Sequence, residues 1–348
     1  MRYMKKESLK KIVVLMAVLS LTSIIFSGCK KKENALASGS NDSDYETLEI
    51  KYQGWTGQVI LVELAEELGY LEPLKLSWVG NTISGPQDIQ SVATGDIDIG
   101  SAFGTAIVNL KAAGAPIKWV INTGGCDDKV SNELLVLNDS PIKSARDLIG
   151  KKIGVNTLGA HNEIVIKEYL RSNGVSEDEI KEVSLVVTPP VNTEQALREK
   201  QLDAVMLGGI FKDKAYETGG LRKLTSDYET LNGPLSSSGL VLNEKFIRQN
   251  PKTTKKLIEG IGKAIEWSKE TPREEVIEKF EEIIKKRERN ENDSAVKYYK
   301  SFGVPEKGGQ PNAENIQLWI DLLIKDGKLK EGQIEPSEIY TNEFSPYK

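Results

Sequence analysis

Residues 133–162 read ELLVLNDSPIKSARDLIGKKIGVNTLGAHN, and this stretch indicates the fold. An apolar run at 134–137 is followed by Asp-Ser-Pro at 139–141, a combination typical of a turn. A short helical stretch and a glycine then precede a second apolar run at 153–155. A polar turn containing glycine ends at His161, where the next helix is expected to begin. A strand, a helix and a strand in this order predict an α/β fold.

The same alternation continues on both sides of this stretch. Short apolar runs predict strands, and amphipathic stretches that stop at a glycine, such as Gly69, predict helices. A second set of units runs from residue 152 to 224, so we expect two α/β lobes, and after residue 242 the chain becomes mainly helical. The predicted strands are residues 48–52, 74–79, 97–99, 117–121, 134–137, 153–155, 183–187, 204–207 and 239–242.

Composition limits the possible functions. The chain has 348 residues, of which 39% are hydrophobic and 28% charged, as in a globular protein of about two lobes. Its formal net charge is -5, whereas a nucleic-acid-binding protein usually carries an excess of basic residues. Cys29, Cys126 and the single His161 are too few for a zinc or iron–sulfur cage, which leaves open only a metal held by oxygens. We therefore expect no nucleic acid partner, no metal and no cofactor.

The N-terminus has the pattern of an export signal. Basic residues such as Lys5 precede an apolar run at 12–26, which is shorter than the roughly 20 residues of a membrane span but suits a secretory signal. Residues 25–29, IFSGC, resemble the lipobox of bacterial lipoproteins, and this resemblance implies cleavage before Cys29 and its lipidation. The alternative is a plain signal peptide with an incidental cysteine. We expect a signal peptide at 1–28 and a polar, flexible tether at 29–46.

Several motifs resemble bacterial solute-binding proteins. Residues 95–106, GDIDIGSAFGTA, and 57–72, GQVILVELAEELGYLE, are similar to the NMT1/THI5-like family, which serves ABC importers of aliphatic sulfonates, taurine, nitrate and thiamine-precursor pyrimidines. The quoted stretch resembles the segment that crosses between lobes, with Asp139, Ser140, Pro141, Asp147, Leu148, Gly150 and Lys151 at matching positions. The return segment, residues 236–257, SSSGLVLNEKFIRQNPKTTKKL, matches at Ser238, Gly239, Phe246, Ile247 and Pro251.

This resemblance implies an architecture and a function. The architecture is a two-lobed, periplasmic-binding-protein-like type II fold, with lobe 1 at 47–137 and 240–348, lobe 2 at 141–236, and hinge crossovers near 137–141 and 236–240. The function is that of a monomeric, lipid-anchored protein on the extracytoplasmic face of the cell membrane. It would capture a small organic anion, an alkanesulfonate or taurine, and deliver it to an ABC permease with its ATPase. A thiamine-precursor pyrimidine or nitrate is the alternative ligand.

Two other classes of protein compete with this interpretation. The first is an enzyme, because relatives resemble a pyrimidine synthase that uses its own histidine, but a single His161 without a histidine cluster counts against it. A Ser-His-Asp hydrolase is also disfavoured, since the chain lacks a Gly-x-Ser-x-Gly nucleophile elbow. The second is a surface sensor without transport. We expect a binding protein and no enzyme.

The loops that follow the strands are predicted to hold the ligand. In open α/β sheets, ligands lie beyond the carboxyl ends of the strands, where helix N-termini offer N–H groups. These loops carry hydroxyls, amides and glycines with a lone Lys129, which suits a small monoanion or zwitterion bound by neutral dipoles near 101–105 and 157–161. The predicted ligand contacts are Gln53, Trp55, Thr56, Thr82, Ser84, Ser101, Phe103, Thr105, Asp127, Thr157, His161, Asn162, Thr188, Gly208 and Phe211.

Aromatic residues are expected to cover the carbon part of the ligand. Trp55 lies between two glycines, where we expect it to form a wall of the site, and a pyrimidine would stack between Trp55 and Phe211. Ordinary packing is the alternative for Trp55, Phe103 and Phe211.

Three further residues have two possible roles each. Asp127 either receives a ligand amine or is a solvated loop charge. His161 either contacts the ligand or is a plain first-turn residue. Cys126 is expected to be a buried small residue and not a nucleophile, because its acidic neighbours raise the pKa of its thiol.

Overall fold

This computed structural model describes residues 44–291 and 293–347. The described residues form two five-stranded sheets, each with helices on both faces. The predicted signal peptide, Cys29 and the tether up to residue 43 lie outside the described residues. The mixed sheets and helices confirm the predicted α/β class. None of the helices within the described residues is long and apolar enough to cross a membrane.

The chain first builds strands and helices in alternation. These are β1 (Glu49–Gly54), α1 (Leu61–Glu67), β2 (Lys75–Asn81), α2 (Gly85–Thr94), β3 (Ile99–Phe103), α3 (Gly104–Ala112) and β4 (Ile117–Cys126). Helix α2 shows why the boundaries fall where they do. Pro86 lies in its first turn, where a missing N–H costs nothing, and Gly95 ends it in the left-handed conformation with φ 85.

The middle of the chain builds the second sheet. Its elements are β5 (Glu133–Leu137), β6 (Lys152–Val155), α4 (His161–Ser172), α5 (Glu177–Lys181), β7 (Ser184–Val187), α6 (Pro190–Arg198), β8 (Ala204–Leu207), α7 (Gly209–Thr218) and β9 (Leu221–Ser226), followed by α8 (Asp227–Thr230). A 3-10 turn at Ala145–Leu148 separates β5 from β6.

The chain then returns to the first sheet. It forms β10 (Leu235–Asn243), α9 (Glu244–Gln249), α10 (Pro251–Glu270), α11 (Arg273–Lys286), α12 (Ala313–Lys325) and α13 (Pro336–Ile339), with 3-10 turns at Val296–Tyr298 and Lys307–Gly309. The strand orders are β2-β1-β3-β10-β4 and β7-β6-β8-β5-β9. We call residues 44–126 and 235–347 the first lobe, and residues 133–226 the second lobe.

The carboxyl edges of the two sheets face each other. In the first sheet β10 runs antiparallel to both β3 and β4, so β4 ends at the same edge as β1, β2 and β3. In the second sheet β5 is antiparallel to β8 and β9, so the strands β6 to β9 end where β5 begins. The two connecting segments, 127–132 and 227–234, join these edges. The loops after the strands therefore line the cleft between the lobes.

Both crossovers lie at other positions than predicted. Strand β5 pairs with β8, where Leu134 lies opposite Met206, and therefore belongs to the second sheet. The chain crosses at 127–132, not near 137–141, and returns at 227–234, before β10 and not within it. The apolar pattern of β5 predicts a strand, but the sheet that it joins depends on contacts with residues about 70 positions away.

Within the described residues, each of the nine predicted strands overlaps an observed strand, although the predicted strand 97–99 meets β3 only at Ile99, and one strand was missed. Strand β9 carries Arg222 and Lys223 in its middle, so it lacks an apolar run. It lies at the edge of the second sheet, where charged residues are tolerated because they protect an open edge from pairing with another chain.

Both faces of each sheet are packed. In β5, Leu134 and Val136 pack into one cluster of buried side chains and Leu135 into the other, as the alternation of a strand requires. In the first lobe, Trp319 of α12 is fully buried with Ile107 of α3. This packing on both faces leaves the carboxyl edges as the open side of each lobe.

Candidate functional site

A cavity of about 180 Å³ lies in the cleft between the two lobes. Its lining comes from the β1–α1 loop, the first crossover, the start of α7 and a segment of the first lobe after α11. The lining residues are Gly57, Gln58, Val59, Val130, Gly209, Ile210, Asp213, Phe280, Ala295, Val296, Tyr298, Tyr299, Lys300, Ser301 and Phe302. A larger cavity of about 560 Å³ is formed by residues of the first lobe alone, between 306 and 347. We take the smaller cavity as the candidate site because both lobes and a crossover build it.

Aromatic rings form one wall of this cavity. Phe280, Tyr299 and Phe302 pack edge to face or tilted, with centroids 4.9 to 6.0 Å apart. Burial raises the pKa of Tyr299 to about 12, so its hydroxyl stays protonated at neutral pH. This wall suits the apolar or ring part of a ligand.

Charged residues at the mouth of the cavity pair with each other across the cleft. The Lys300 ammonium of the first lobe lies 2.7 Å from the Asp213 carboxylate of α7. Lys297 lies 3.2 Å from Glu217 at the other end of α7, and the Tyr298 hydroxyl donates to the same carboxylate. These pairs tie α7 to the segment at 296–300.

Helix α7 contributes backbone donors to the cavity. Its cap is Gly208, which has no side chain, and its first two residues line the cavity. The first-turn N–H groups of a helix lack partners within the helix and favour an anion. Gly208 was a predicted ligand contact, but the structure gives it a packing role as well, since a Cβ there would lie 1.9 Å from Oδ1 of Asn132.

Asp127 uses its carboxylate to shape the first crossover. Its Oδ1 accepts the N–H groups of Lys129 and Val130 at 2.7 and 2.8 Å, and its Oδ2 accepts the Ser301 hydroxyl at 2.7 Å. These donors position Val130 and Ser301 in the cavity wall, so Asp127 has a structural role here, and its contact with a ligand amine stays a prediction.

His161 is a packing residue between the lobes. Its ring lies on Phe103, with centroids 4.4 Å apart, and meets Trp319 edge-on. Its Nε2 is 3.0 Å from Oδ2 of Asp227, which also accepts the side-chain amide of Asn132 at 2.7 Å. With 1% of its surface exposed, His161 offers no face for a ligand. The prediction that His161 contacts the ligand is therefore wrong, and His161 is a first-turn residue of α4, the alternative given above. Phe103 takes part in the same packing.

The other predicted contacts of the first lobe lie around the carboxyl edge, outside this cavity. Thr105 is fully buried, and Thr82 donates its hydroxyl to the Ser84 carbonyl at 3.0 Å within the loop that starts α2. The N–H of Ser101 donates to the buried Asp88 at 2.7 Å, and burial raises the pKa of that carboxyl to about 7. Gln53 is half-buried on β1. Of these side chains, Thr82 supports the local backbone, whereas Oε1 of Gln53 and the hydroxyl of Thr105 are buried without a hydrogen-bond partner among the described residues.

Trp55 and Thr56 form the tip of the β1–α1 loop. A turn at 55–58 is closed by the N–H of Gln58, which donates to the Trp55 carbonyl at 3.2 Å, with Gly57 at φ 69 in the left-handed position that this turn requires. Trp55 is half-buried, and its role as a wall stays a prediction. Thr56 is exposed and accepts the Asn81 amide at 3.0 Å.

The predicted contacts of the second lobe are used within that lobe. Asn162 is buried and donates to Asn156 at 3.1 Å, and the Thr188 hydroxyl donates to the Val186 carbonyl at 3.3 Å. Phe211 is half-buried and packs against the buried cluster of its own lobe, and its stacking with a pyrimidine stays a prediction. Thr157 is half-buried in the β6–α4 loop.

Sequence reasoning found the right loops but not the residues that line the cavity. Residues 57 and 58 and Gly209 lie in loops that were predicted, yet the segment 295–302 was missed. Its one signal is the run YYKSF at 298–302, three aromatic residues in five without helix or strand periodicity. The prediction that Cys126 is a buried residue is confirmed. Burial raises the pKa of its thiol to about 12, and Asp227 raises it further.

Comparison with known proteins gives a consistent family. The family described as NMT1/THI5 like matches residues 58–275. A Brucella abortus (strain 2308) protein named "Putative binding protein" is 24% identical over 271 residues, 75% of this chain and 79% of the relative. An Escherichia coli (strain K12) protein named "Putative aliphatic sulfonates-binding protein" is 29% identical over 185 residues, 53% of this chain and 56% of the relative.

Solved structures show the same fold. The periplasmic aliphatic sulphonate binding protein of Escherichia coli superposes with a TM-score of 0.64 at 20% identity, covering 84% of this chain and 91% of that one. The periplasmic nitrate-binding protein of Synechocystis PCC 6803 gives 0.65 at 14% identity, covering 86% and 88%. Both support the periplasmic-binding-protein fold.

Proposed function

Because the chain belongs to the NMT1/THI5-like family, we propose that it is the extracytoplasmic solute-binding protein of an ABC importer. It captures a small organic anion between its lobes and delivers it to a permease with its ATPase. The observation that carries this proposal is the cavity at the facing carboxyl edges, which neither lobe could form alone. Such a site is complete only when the lobes are together, as capture and release require.

The cavity favours an alkanesulfonate over taurine. Its aromatic wall suits a carbon chain, and the first turn of α7 supplies neutral donors for a sulfonate that spreads one charge over three oxygens. Taurine adds an amine, but the carboxylates nearest the cavity are already paired, Asp127 with its loop donors and Asp213 with Lys300. An amine would have to share a carboxylate with these partners.

A pyrimidine is the second candidate ligand. The rings of Tyr298, Tyr299 and Phe302 line the cavity and offer faces and edges for a flat heterocycle. A Candida albicans relative, 26% identical over 236 residues, is named 4-amino-5-hydroxymethyl-2-methylpyrimidine phosphate synthase. The aromatic wall makes this ligand worth testing beside the sulfonates, with binding and no catalysis as the proposed activity.

Thermal-shift and calorimetric titration decide between these ligands. We expect 1-hexanesulfonate to raise the melting temperature, since a ligand at about 100 times its Kd stabilises a fold by roughly 2.7 kcal/mol. Taurine, nitrate and 4-amino-5-hydroxymethyl-2-methylpyrimidine are the comparison ligands. A response to the pyrimidine with none to hexanesulfonate would reverse our order of preference, and no response to any of them would count against the proposed ligand class.

A matched pair of variants places the site. Ile210 and Val191 are the second residues of α7 and α6, but only Ile210 lines the cavity, whereas Val191 is 72% exposed. Ile210→Trp should fill the cavity and abolish the response to hexanesulfonate, while Val191→Trp should bind as the unsubstituted protein does. Equal binding by both variants would show that the ligand lies elsewhere.

The remaining parts of the proposal concern location and assembly. We propose that the protein acts as a monomer held at the outer face of the cell membrane by lipid on Cys29, and that the segments 127–132 and 227–234 are the hinge. The lipobox-like run IFSGC supports the anchor, and the two connections between the sheets support the hinge.

A further inference from the structure

Four charged side chains are buried together behind the β1–α1 loop. They are Glu63 of α1 and Arg287, Arg289 and Glu291 of the segment after α11. Their side chains are only 2 to 7% exposed. Arg287 lies 2.9 Å from one Glu63 oxygen and Arg289 lies 3.0 Å from the other. Arg287 also pairs with Glu291. We call these four residues the charge cluster.

The charge cluster holds the cavity wall through the backbone. Oε2 of Glu291 accepts the N–H of Gly57 at 2.7 Å, and Nη1 of Arg287 donates to the carbonyl of Gln58 at 2.9 Å. Both Gly57 and Gln58 line the cleft cavity. Two adjacent peptide groups of the wall are therefore fixed by two residues more than 220 positions away in the chain.

Glu63 and Arg289 hold the two ends of the same loop. Glu63 accepts the N–H of Ile60 at 3.2 Å and the hydroxyl of Tyr52 at 2.7 Å. Arg289 packs against Gly54, where a Cβ would lie 2.5 Å from Nη1, so the absence of a side chain there admits the guanidinium. The loop from Gly54 to Ile60 is thus held at its start, middle and end.

Burying the charge cluster costs free energy of desolvation, which points to a role beyond stabilising the fold. Removing four charges from water is unfavourable, and apolar residues of similar size often stabilise a fold as well or better. The segment that carries the arginines also places Glu288 and Asn290 in the left-handed region, with φ 45 and 53, although neither is glycine. Fixed, directional hydrogen bonds to a binding loop are what such a cluster supplies and an apolar contact cannot.

We propose that Arg287 and Glu291 are positioning residues for the ligand site: they set the position of the β1–α1 loop, with Trp55 at its tip, and so set the affinity for the ligand. The inference rests on the proposed function for the part that concerns affinity. The part that concerns the position of the loop stands on the contacts within the protein alone.

The test uses Glu291→Ala, Glu291→Gln and Arg287→Lys in the full chain. Lys286→Gln is the control, since Lys286 precedes Arg287 but is 62% exposed and pairs with Glu67. The first readout is the fluorine NMR resonance of Trp55 in protein labelled with 5-fluorotryptophan and assigned with Trp55→Phe. The second is the Kd for 1-hexanesulfonate by calorimetry, and the third is the melting temperature.

We expect Glu291→Ala to shift or broaden the Trp55 resonance and to weaken binding about tenfold or more, which is about 1.4 kcal/mol. Glu291→Gln keeps an oxygen for the Gly57 N–H and should lose less, and Lys286→Gln should match the unsubstituted protein. A lower melting temperature with an unchanged Trp55 resonance, or with unchanged affinity, would overturn the inference and leave a purely structural role. If the unsubstituted protein fails to bind hexanesulfonate, the proposed ligand fails, and the resonance alone decides the positioning role.

Discussion

The imidazole ring of His161 lies flat on the phenyl ring of Phe103, with the planes 10° apart and the centroids separated by 4.4 Å. Phe103 ends β3 in the first lobe and His161 begins α4 in the second, so this stack joins the two carboxyl edges directly. Asp227, at the start of the returning crossover, holds the other side of the imidazole. The contact therefore links both lobes and a crossover through the half-buried Phe103 and the buried His161 and Asp227.

The stack should contribute measurably to stability. We expect Phe103→Ala and His161→Ala each to lower the free energy of unfolding by about 1 to 3 kcal/mol, because each removes aromatic packing and His161→Ala also removes a partner of the buried Asp227. A double-mutant cycle, followed by urea denaturation, should show a coupling of about 0.5 to 1.5 kcal/mol between the two residues. Effects that simply add within about 0.3 kcal/mol would mean that the rings do not stabilise each other.

Binding should bring the lobes closer. The cavity takes its walls from both lobes, and ion pairs join α7 to the segment at 295–302 in this structure, so we expect the lobes to part at these pairs in the free protein and a ligand to hold them together. Small-angle scattering with saturating 1-hexanesulfonate should give a smaller radius of gyration than the protein alone. An unchanged radius, with binding proven by calorimetry in the same buffer, would contradict hinge motion about 127–132 and 227–234.

Asp88 should make stability depend on pH. Burial raises the pKa of its carboxyl from 3.8 to about 7, and the hydrogen bond from the Ser101 N–H offsets this only in part. Because the folded state holds the proton more tightly than the unfolded chain, its contribution is full below about pH 4 and is lost as pH rises through about 7, on a scale of about 1.4 kcal/mol per unit of pKa.

Asp88→Asn isolates this effect. The amide cannot ionise and keeps an oxygen for the Ser101 N–H, so the variant should lose less stability than the unsubstituted protein between pH 4 and 8. Asp128→Asn, at an exposed position, is the control and should follow the unsubstituted protein. Parallel curves of unfolding free energy against pH for all three proteins would rule out Asp88 as the cause.

Cys29 should anchor the protein. Cys29→Ser removes the thiol that would form the thioether to the lipid, so the protein should no longer incorporate labelled fatty acid and should leave the membrane fraction for the medium or periplasm. Metabolic labelling with fractionation of the cells measures both. Membrane retention of the Ser variant equal to that of the unsubstituted protein would refute the anchor.

The periodicity of apolar residues along the chain was enough to determine the α/β class, the approximate places of nine of the ten strands in the described residues, and the loops at their carboxyl ends. These features depend on residues that are neighbours in sequence, because a strand or helix must present an apolar face at its own period wherever it packs. The raised pKa of the Cys126 thiol was expected from its adjacent acidic residues, but burial is its largest cause, and the distant Asp227 contributes more than the adjacent Asp127.

Only the tertiary structure decided which sheet β5 joins, that Phe211 and His161 pack within the protein, and that residues 295–302 form a wall of the cavity. These depend on residues far apart in the chain: β5 pairs with β8, His161 packs with Phe103 and bonds to Asp227, and Ser301 of the segment 295–302 bonds to Asp127. The same local sequence allows a polar side chain at the end of a strand either to face a ligand or to form a hydrogen bond with its own backbone. Which of the two occurs is settled by the partners that the fold brings within hydrogen-bonding distance.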